Sequence, residues 1–283
     1  MGGSVAERDH KEAAIEQWTA DPCGSAWTDG EPGSDAYLAR MDDDRRVYAP
    51  WMDEILAYER WSGKDVLDVG CGQGIDVARY AAAGARATGI DLTPRHLELA
   101  QKLLDHRDLE ARLVLGDAEG LPFDERSFDR VSSNGVLHHT PDMPAALRDI
   151  HRVLRPAGET VVIVYNRNSL HYWLQQVALH GILLGKLLRE RSMEGVMART
   201  VEGTSVGARP LVRVYSRSQL RSMLTEAGFT DVRTTVRHFH AADTVATLLA
   251  SKVVPALRDP AVLDRIGRRA GWYVIAAGKR PSD

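Results

Sequence analysis

Few folds can accommodate residues 66–74, where a short apolar run ends in Asp68-Val69 and glycines follow at positions 70, 72 and 74. Glycine lets the backbone turn sharply, and it lets a ligand approach the main chain without meeting a Cβ atom. A helical pattern follows, with Val77, Ala78 and Ala81 on one face, and the amides at the start of such a helix favour electron-rich ligand atoms. The run therefore predicts a strand, a ligand-binding turn and a helix in succession.

The spacing of these glycines does not match the two common phosphate-binding loops. The dinucleotide fingerprint G-x-G-x-x-G, if it starts at Gly70, requires a third glycine where the chain has Ile75. A P-loop would need Gly-Lys-Ser or Gly-Lys-Thr, and neither sequence follows. A nicotinamide-dependent dehydrogenase is therefore an alternative that the spacing disfavours.

Short β-rich runs alternate with helical patterns along most of the chain. This alternation is typical of βαβ units and of a parallel sheet. The strand candidates are residues 65–69, 85–90, 111–115, 130–133, 160–165, 232–239 and 272–277. They predict a Rossmann-like α/β fold, with a seven-stranded, mostly parallel sheet and helices on both faces.

The chain divides into four predicted regions around this sheet. They are an N-terminal helical cap or lid (1–60), a cofactor-binding α/β core (61–168), an inserted helical lid over the substrate (169–208), and the completion of the core (209–283), with a further helical insertion near 242–270. The third region is too long for an ordinary connection, and we therefore interpret it as functional.

Polar residues follow four successive strands of the predicted sheet, namely Asp68, Asp91, Asp117 and Asn134. The carboxyl ends of parallel strands meet at one edge of the sheet, where open α/β sheets bind their ligands. An acid after the second strand can hold both hydroxyls of a ribose, and an acid after the third can accept from an adenine amine. One adenosine-containing ligand explains these positions better than separate helix caps would.

With these features the chain resembles the class I S-adenosylmethionine-dependent methyltransferases. Within them it is most similar to the small-molecule branch that includes the ubiquinone and menaquinone methyltransferases. The matching runs are residues 67–74, 89–91, 116–123, 127–131, 136–139 and 152–158. One departure is Ala157, which stands where the family has the first glycine of a Pro-Gly-Gly turn.

The resemblance implies S-adenosyl-L-methionine as the cofactor and gives roles to individual residues. Asp68, Gly70, Cys71 and Gly72 would flank the methionine part, Asp91 the ribose, Leu92 the adenine ring, and Asp117 with Ala118 the adenine edge. Asn134 would lie beneath the sulfonium, and Trp18 and Arg45 of the N-terminal lid would contact the cofactor.

Four histidines are candidates for further chemistry. His138 and His139 follow the fourth strand, and an ordinary histidine can accept a proton near neutral pH, so either could act as a general base. The alternative is that the pair only fixes its loop through hydrogen bonds. His238 and His240 alternate on a predicted strand and would share a face, but no carboxylate or cysteine completes a ligand pattern, so no metal is predicted.

Residues 170–188 read as one helix that is apolar most of the way round, which predicts that its surface is covered. The core or a homodimer interface could cover it. Alternatively it could close an apolar acceptor pocket or make transient contact with a membrane surface. Its polar and charged residues argue against stable membrane insertion.

We therefore expect a cytoplasmic enzyme that moves a methyl group, by in-line displacement, to a small and fairly apolar organic acceptor, such as an intermediate of secondary metabolism. The net charge of −3, from 36 basic and 39 acidic residues, argues against a nucleic-acid partner. The two cysteines, Cys23 and Cys71, support neither a disulfide framework nor a zinc site. A non-enzymatic protein that binds S-adenosylmethionine is a second alternative.

Overall fold

A computed structural model describes residues 5–24, 28–201 and 205–282, and for residues 5–9 it describes only the backbone. Parts of the predicted regions 1–60 and 169–208 therefore lie outside the described residues.

One sheet of seven strands forms the centre of the molecule. The strands are β1 (Asp65–Val69), β2 (Arg86–Asp91), β3 (Arg112–Leu115), β4 (Phe128–Asn134), β5 (Leu154–Tyr165), β6 (Thr230–Arg237) and β7 (Tyr273–Lys279). Their order is β3-β2-β1-β4-β5-β7-β6, in which β1 to β5 are parallel and β7 runs antiparallel between β5 and β6. The predicted seven-stranded, mostly parallel sheet is thus confirmed.

Helices connect and flank these strands. They are α1 (Val5–Ala20), α2 (Asp35–Tyr48), α3 (Met52–Leu56), α4 (Ile75–Ala82), α5 (Pro94–His106), α6 (Met143–Val153), α7 (Lys186–Glu190), α8 (Met193–Thr200), α9 (Arg217–Glu226), α10 (Val245–Val253) and α11 (Pro260–Ala270). A π-helix spans His171–Leu183, and short 3-10 turns lie at Tyr58–Trp61, Leu137–His139, Ala241–Asp243 and Pro255–Arg258.

Apolar side chains cover both faces of the sheet. Leu67 of β1 belongs to a buried cluster that includes Leu147 of α6, whereas its neighbour Val66 belongs to a second cluster that includes Tyr80 of α4. Successive side chains of a strand point to opposite faces, so the two clusters lie on opposite sides of β1. Because β1 pairs with β2 on one side and with β4 on the other, its carboxyl end lies where the strand order reverses, which is where such sheets bind ligands.

The predicted strand 232–239 has the right length but lies two residues too far along the chain. Strand β6 ends at Arg237, and the next residue, His238, has a φ of 73° in the left-handed region. The inference that His238 and His240 share the face of a strand is therefore wrong, although a turn still brings their ring centroids to 4.8 Å. Across the described ranges, no group of three or more His, Cys, Asp or Glu side chains could hold a metal ion.

The prediction of one continuous helix over 170–188 is also wrong. The chain forms the π-helix and then α7, and Gly185, with a φ of 65°, separates them. Tyr172 and Gln176 are buried on one side, but Leu183 and Leu188 are exposed on the other. Among the described residues, no helix combines the length and apolar character that crossing a bilayer requires.

Replacing Ala157 with glycine should stabilise the protein, because Ala157 has a φ of 61° within β5. The Cβ atom costs roughly 1–2 kcal/mol of stability in this conformation. Glycine avoids that cost, but it loses roughly 0.5–1 kcal/mol of stability because it loses more conformational freedom on folding than alanine does. We expect the free energy of unfolding in urea to rise by up to about 1.5 kcal/mol. The control Ala227→Gly, at a φ of −75°, should lower it, and equal effects of the two variants would contradict the explanation.

Candidate active site

Two continuous cavities lie at the carboxyl edge of the sheet. The smaller, of about 110 Å³, lies among the glycine-rich turn and the loops that follow β2 and β3. The larger, of about 400 Å³, extends from the same turn to α2, the π-helix and β7. Gly70, Gly72, Asn134 and His139 line both cavities, so the two spaces meet at the end of β1 and β4.

The glycines at positions 70, 72 and 74 of the turn differ in what surrounds them. All have positive φ, but a Cβ atom on Gly70 would lie 2.3 Å from Cγ2 of Val136, and one on Gly74 would lie 2.7 Å from Cβ of Ala100. A Cβ atom on Gly72 would meet nothing within 4 Å. Gly70 and Gly74 therefore allow close packing, whereas Gly72 borders space that a ligand can use.

Asp91, at the end of β2, ties this turn to the smaller cavity that it lines. Its carboxylate accepts hydrogen bonds from the amides of Gly72 and Thr93, both at 2.9 Å, and its Oδ1 lies 3.1 Å from Nδ1 of His96. Burial raises the pKa of Asp91, but the hydrogen bond from His96 and the two amides outweigh it, and the pKa is lowered. The carboxylate is therefore ionised at neutral pH.

His96 is a site residue that the sequence analysis missed. Its Nε2 accepts a hydrogen bond from the amide of Cys23 at 3.2 Å, so its proton is on Nδ1, which donates to Asp91. The available signal was its place in the first turn of α5, five residues after Asp91.

Helix α1 covers the far end of the smaller cavity. Lys11 and Trp18 of α1 line it opposite Leu92, Asp117 and Ala118, which are residues predicted at the cofactor. Lys11 Nζ lies 2.6 Å from Oδ2 of Asp117 and also pairs with Glu119, while Oδ1 of Asp117 accepts from the amide of Glu119 at 2.9 Å. Both oxygens of Asp117 are thus engaged within the chain.

A buried ion pair forms part of the larger cavity. The guanidinium of Arg45 lies 3.0 Å from Oδ2 of Asp76, which also accepts from Nδ2 of Asn134 at 3.2 Å, and Oδ1 accepts from the hydroxyl of Tyr58 at 2.7 Å. Burial raises the pKa of Asp76, but Arg45 and Tyr58 outweigh it and hold the pKa below its ordinary value. Arg45, predicted as a cofactor contact, lines the larger cavity and pairs there with Asp76, a residue that was not predicted.

Asp68 has the opposite electrostatic character. It lies at the end of β1, lines the larger cavity and accepts a hydrogen bond from the hydroxyl of Ser132 at 2.8 Å. Burial and then the nearby Asp76 raise the pKa of Asp68 to about 8. Burial and then Asp91 also raise the pKa of the Cys71 thiol, so Cys71 is a neutral wall of the same cavity.

The structure brings only one of the two predicted loop histidines to a cavity. His139 lines both cavities, and its Nδ1 lies 2.7 Å from the carbonyl oxygen of Leu211. A carbonyl only accepts, so Nδ1 carries a proton, and in the neutral form of the ring Nε2 then carries a lone pair. His138 is fully buried, lines neither cavity and packs at 4.0 Å between ring centroids on Tyr165, and burial lowers its pKa well below the ordinary value.

Aromatic and imidazole rings form the far wall of the larger cavity, and the sequence analysis did not find them as a group. They are Tyr48, Tyr165, His171, His238, Trp272 and Tyr273. Tyr165 stacks on Trp272 at 4.3 Å, and the hydroxyls of Tyr48 and Tyr273 are 3.0 Å apart. Burial lowers the pKa of His238 to about 3 and lowers that of His171, so both rings are neutral at pH 7.

Comparisons with known proteins identify the family of the chain. A family model described as a methyltransferase domain matches residues 67–162. The demethylmenaquinone methyltransferase of Staphylococcus aureus (strain JH9) is 30% identical over 62% of this chain and 71% of that protein. This chain belongs to the class I S-adenosylmethionine-dependent methyltransferases.

Two further proteins resemble this chain in sequence or in fold. The ubiquinone biosynthesis O-methyltransferase of Pseudomonas entomophila (strain L48) is 36% identical over 47% of this chain, and the match spans 56% of that protein, so just over half of its length. The phosphoethanolamine N-methyltransferase 2 of Haemonchus contortus, solved with S-adenosylhomocysteine, shares the fold at a TM-score of 0.53, with 17% identity over 82% of this chain and 53% of that one.

The residues around the two cavities suit the cofactor of this family. The smaller cavity holds an ionised carboxylate, Asp91, and the open side of Gly72 faces the space where the two cavities meet. The larger cavity presents a second acid, Asp68, whose ionisation a cation would favour. S-adenosylmethionine combines a nucleoside with two cationic groups, and these features match that combination.

Two alanine substitutions should separate packing from cofactor binding. Both Gly72→Ala and Gly70→Ala place a Cβ atom at positive φ, which costs roughly 1–2 kcal/mol. Only Gly72→Ala projects it into the cavity, so we expect calorimetry to show about tenfold weaker binding of S-adenosylhomocysteine. Gly70→Ala should lose roughly 1–3 kcal/mol more stability through overpacking against Val136. Intact affinity in Gly72→Ala would contradict the placement.

Cofactor affinity should rise with pH through the ionisation of Asp68. A protonated Asp68 must lose its proton before it can face the cofactor's ammonium group, so binding is penalised below its pKa of about 8. Between about pH 6 and pH 8 we expect affinity for S-adenosylhomocysteine to rise by up to about tenfold per pH unit. Asp68→Asn should bind weakly and without this slope, and a slope that persists in Asp68→Asn would assign it to another group.

Proposed function

We propose that this methyltransferase acts on a small, fairly apolar organic acceptor that carries a flat ring and that binds in the larger cavity. The observation that carries the proposal is the cavity itself, of about 400 Å³, whose far wall consists of neutral aromatic and imidazole rings. Flat apolar walls favour a flat apolar ligand, because aromatic rings stack or meet edge to face. Ligand pockets of this kind are predominantly apolar, with a few polar groups that fix orientation.

In the proposed arrangement the cofactor extends from the smaller cavity into the larger one. Asp91 binds the ribose hydroxyls, and Leu92, Asp117 and Ala118 surround the adenine. Asp68, Gly70, Cys71 and Gly72 flank the methionine part, with Asn134 beneath the sulfonium and Trp18 over it. All of these residues line one or both cavities, which supports the assignment. Arg45 contributes by holding Asp76, and through it Asn134.

When bound, S-adenosylmethionine supplies a methyl group that is already activated on a sulfonium. The chain then has to align the acceptor opposite the sulfur and exclude water, and such positioning can supply about 7–11 kcal/mol of the barrier. Tyr165 and Trp272 restrain the acceptor from one side. Trp18 of α1 closes the point where the two cavities meet, because it lines both.

His139 is the proposed general base for an acceptor that loses a proton. The bond from its Nδ1–H to the carbonyl of Leu211 fixes the ring and leaves the Nε2 lone pair as the proton acceptor. The neighbouring His138 supports this ring by packing at 4.1 Å between centroids. Its buried position does not support a direct role.

The remaining parts of the proposal concern the cellular location of the enzyme and the class of its acceptor. We place the enzyme in the cytoplasm and its acceptor in secondary metabolism, with no nucleic acid as substrate, and the net charge of −3 supports the last point. The relatives named above are methyltransferases, which favours neither a dehydrogenase nor a non-enzymatic binding protein.

A transfer assay with methyl-labelled cofactor tests the proposal. Purified protein is incubated with matched flat-ring and open-chain acceptors that carry the same hydroxyl, thiol or amine group. We expect label in flat-ring acceptors at rates well above those of their open-chain partners. Calorimetric binding of S-adenosylhomocysteine without label in any acceptor would instead support a cofactor-binding protein.

Replacing His139 with asparagine should slow transfer to a hydroxyl acceptor. Asparagine can still donate to the Leu211 carbonyl but cannot accept the proton, so kcat should fall about 10²- to 10⁴-fold while cofactor affinity changes little. The matched control is His138→Phe, which keeps a ring against Tyr165 and should retain most activity. Equal losses in both variants would indicate that the pair only shapes its loop.

A further inference from the structure

Exposed apolar side chains concentrate in two neighbouring segments. Among the described residues, fourteen large apolar side chains are exposed, and eleven of them lie within residues 173–188 and 245–254. Leu183, Leu188 and Val253 are 76%, 88% and 79% exposed. Monomeric soluble proteins rarely expose contiguous apolar surface on this scale without a function, so the concentration needs an explanation.

The two segments are joined side by side. The amide of Val245 donates to Oε1 of Gln175 at 3.1 Å, and Nδ1 of His171 donates to the carbonyl of Asp243 at 2.8 Å. The π-helix and α7 therefore share one surface region with α10. We call the exposed apolar side chains of residues 173–188 and 245–254 the apolar face.

Most of the ionisable side chains in and just beyond these two segments are lysines and arginines. Residues 173–191 and 245–258 contain Lys186, Arg189, Arg191, Lys252 and Arg258, with Glu190 as the one acid. The side chain of Glu190 is buried and pairs with Arg199 and Arg209, so it does not balance the exposed cations. The region is thus positively charged on a chain whose net charge is −3.

We propose that the apolar face docks the protein reversibly on the surface of an anionic phospholipid bilayer. Leucine and valine side chains would enter the boundary between headgroups and acyl chains, and the lysines and arginines would face the lipid phosphates. This occupant satisfies both the apolar and the cationic character of the region. A second copy of the chain would cover the apolar side chains, but a two-fold interface brings the same patch of both copies together, and so opposes like charges.

Docking would place the bilayer beside the larger cavity. His171 and Asp243, which each lie two residues before one of the two segments, both line that cavity. An acceptor dissolved in the bilayer could then reach the cavity without crossing water. The docking itself does not depend on the acceptor's identity, so it goes beyond the proposed function.

Vesicle co-sedimentation of the full chain tests the apolar part. The vesicles contain phosphatidylcholine with about one third phosphatidylglycerol, and the double variant Leu183→Asp, Val253→Asp is compared with wild type. We expect at least about tenfold weaker binding by the variant. The matched control is Val47→Asp, Leu115→Asp, at side chains 77% and 57% exposed outside the apolar face, which should bind like wild type.

The charge part needs a second pair of variants. The double variant Arg189→Gln, Lys252→Gln should bind the same vesicles more weakly than wild type, by about fivefold for each cation removed. Added salt should reduce this difference between the variant and wild type. Binding to pure phosphatidylcholine should be weak for wild type and little changed by these substitutions. The control Arg221→Gln, an exposed arginine of α9, should bind like wild type.

Two outcomes would overturn the proposal. One is that the wild-type protein does not bind the vesicles, or that the apolar-face variant and its control variant bind them equally well. The other is a wild-type protein that does not bind vesicles but forms a dimer in sedimentation velocity, where the dimer is lost in the double variant Leu183→Asp, Val253→Asp. That result would assign the apolar face to a second copy of the chain. Calorimetric binding of S-adenosylhomocysteine and transfer to a water-dissolved acceptor should be unchanged in every variant, so failure of docking is distinguishable from failure of the proposed function.

Discussion

The attachment of the glycine-rich turn to the end of β2 determines the rest of the site. The amides of Gly70 and Cys71 both donate to the carbonyl of Ile90, at 2.8 and 3.0 Å, and the amide of Gly72 donates to the Asp91 carboxylate. These bonds hold the turn open at Gly72 and fix the ionised Asp91 beside it. The smaller cavity, the meeting point of the two cavities and the direction of the larger one all follow from this attachment.

Two buried acids close to that turn have opposite protonation behaviour because their partners differ. Asp76 has a guanidinium, a phenol and an amide as hydrogen-bond donors, and it keeps its charge. Asp68 has the hydroxyl of Ser132 and the repulsion of Asp76, so its carboxyl holds a proton more strongly. The pair thus provides one permanent charge that orders side chains and one carboxyl that responds to a cationic ligand.

The sequence was sufficient to predict those parts of the structure that depend on neighbouring residues. Strand alternation predicted all seven strands, and Asp68, Asp91 and Asn134 could be placed because each follows its own strand. The wall of the larger cavity was not predictable in this way, since Tyr48 and Tyr273 are 225 residues apart and no local pattern links them. The apolar composition of residues 170–188 was visible, but which side of the segment the sheet covers depends on tertiary packing.

The contact between Tyr48 and Tyr273 also has a consequence for the order in which the protein matures. Every residue proposed here to contact the cofactor lies at or before position 134, whereas Trp272 and Tyr273 in the far wall of the larger cavity are synthesised well after them. The glycine-rich turn and its neighbours are therefore translated before the segment that completes the far wall of the larger cavity. For the same reason, substitutions in the later segments can change the far wall of the larger cavity during evolution without touching the glycine-rich turn.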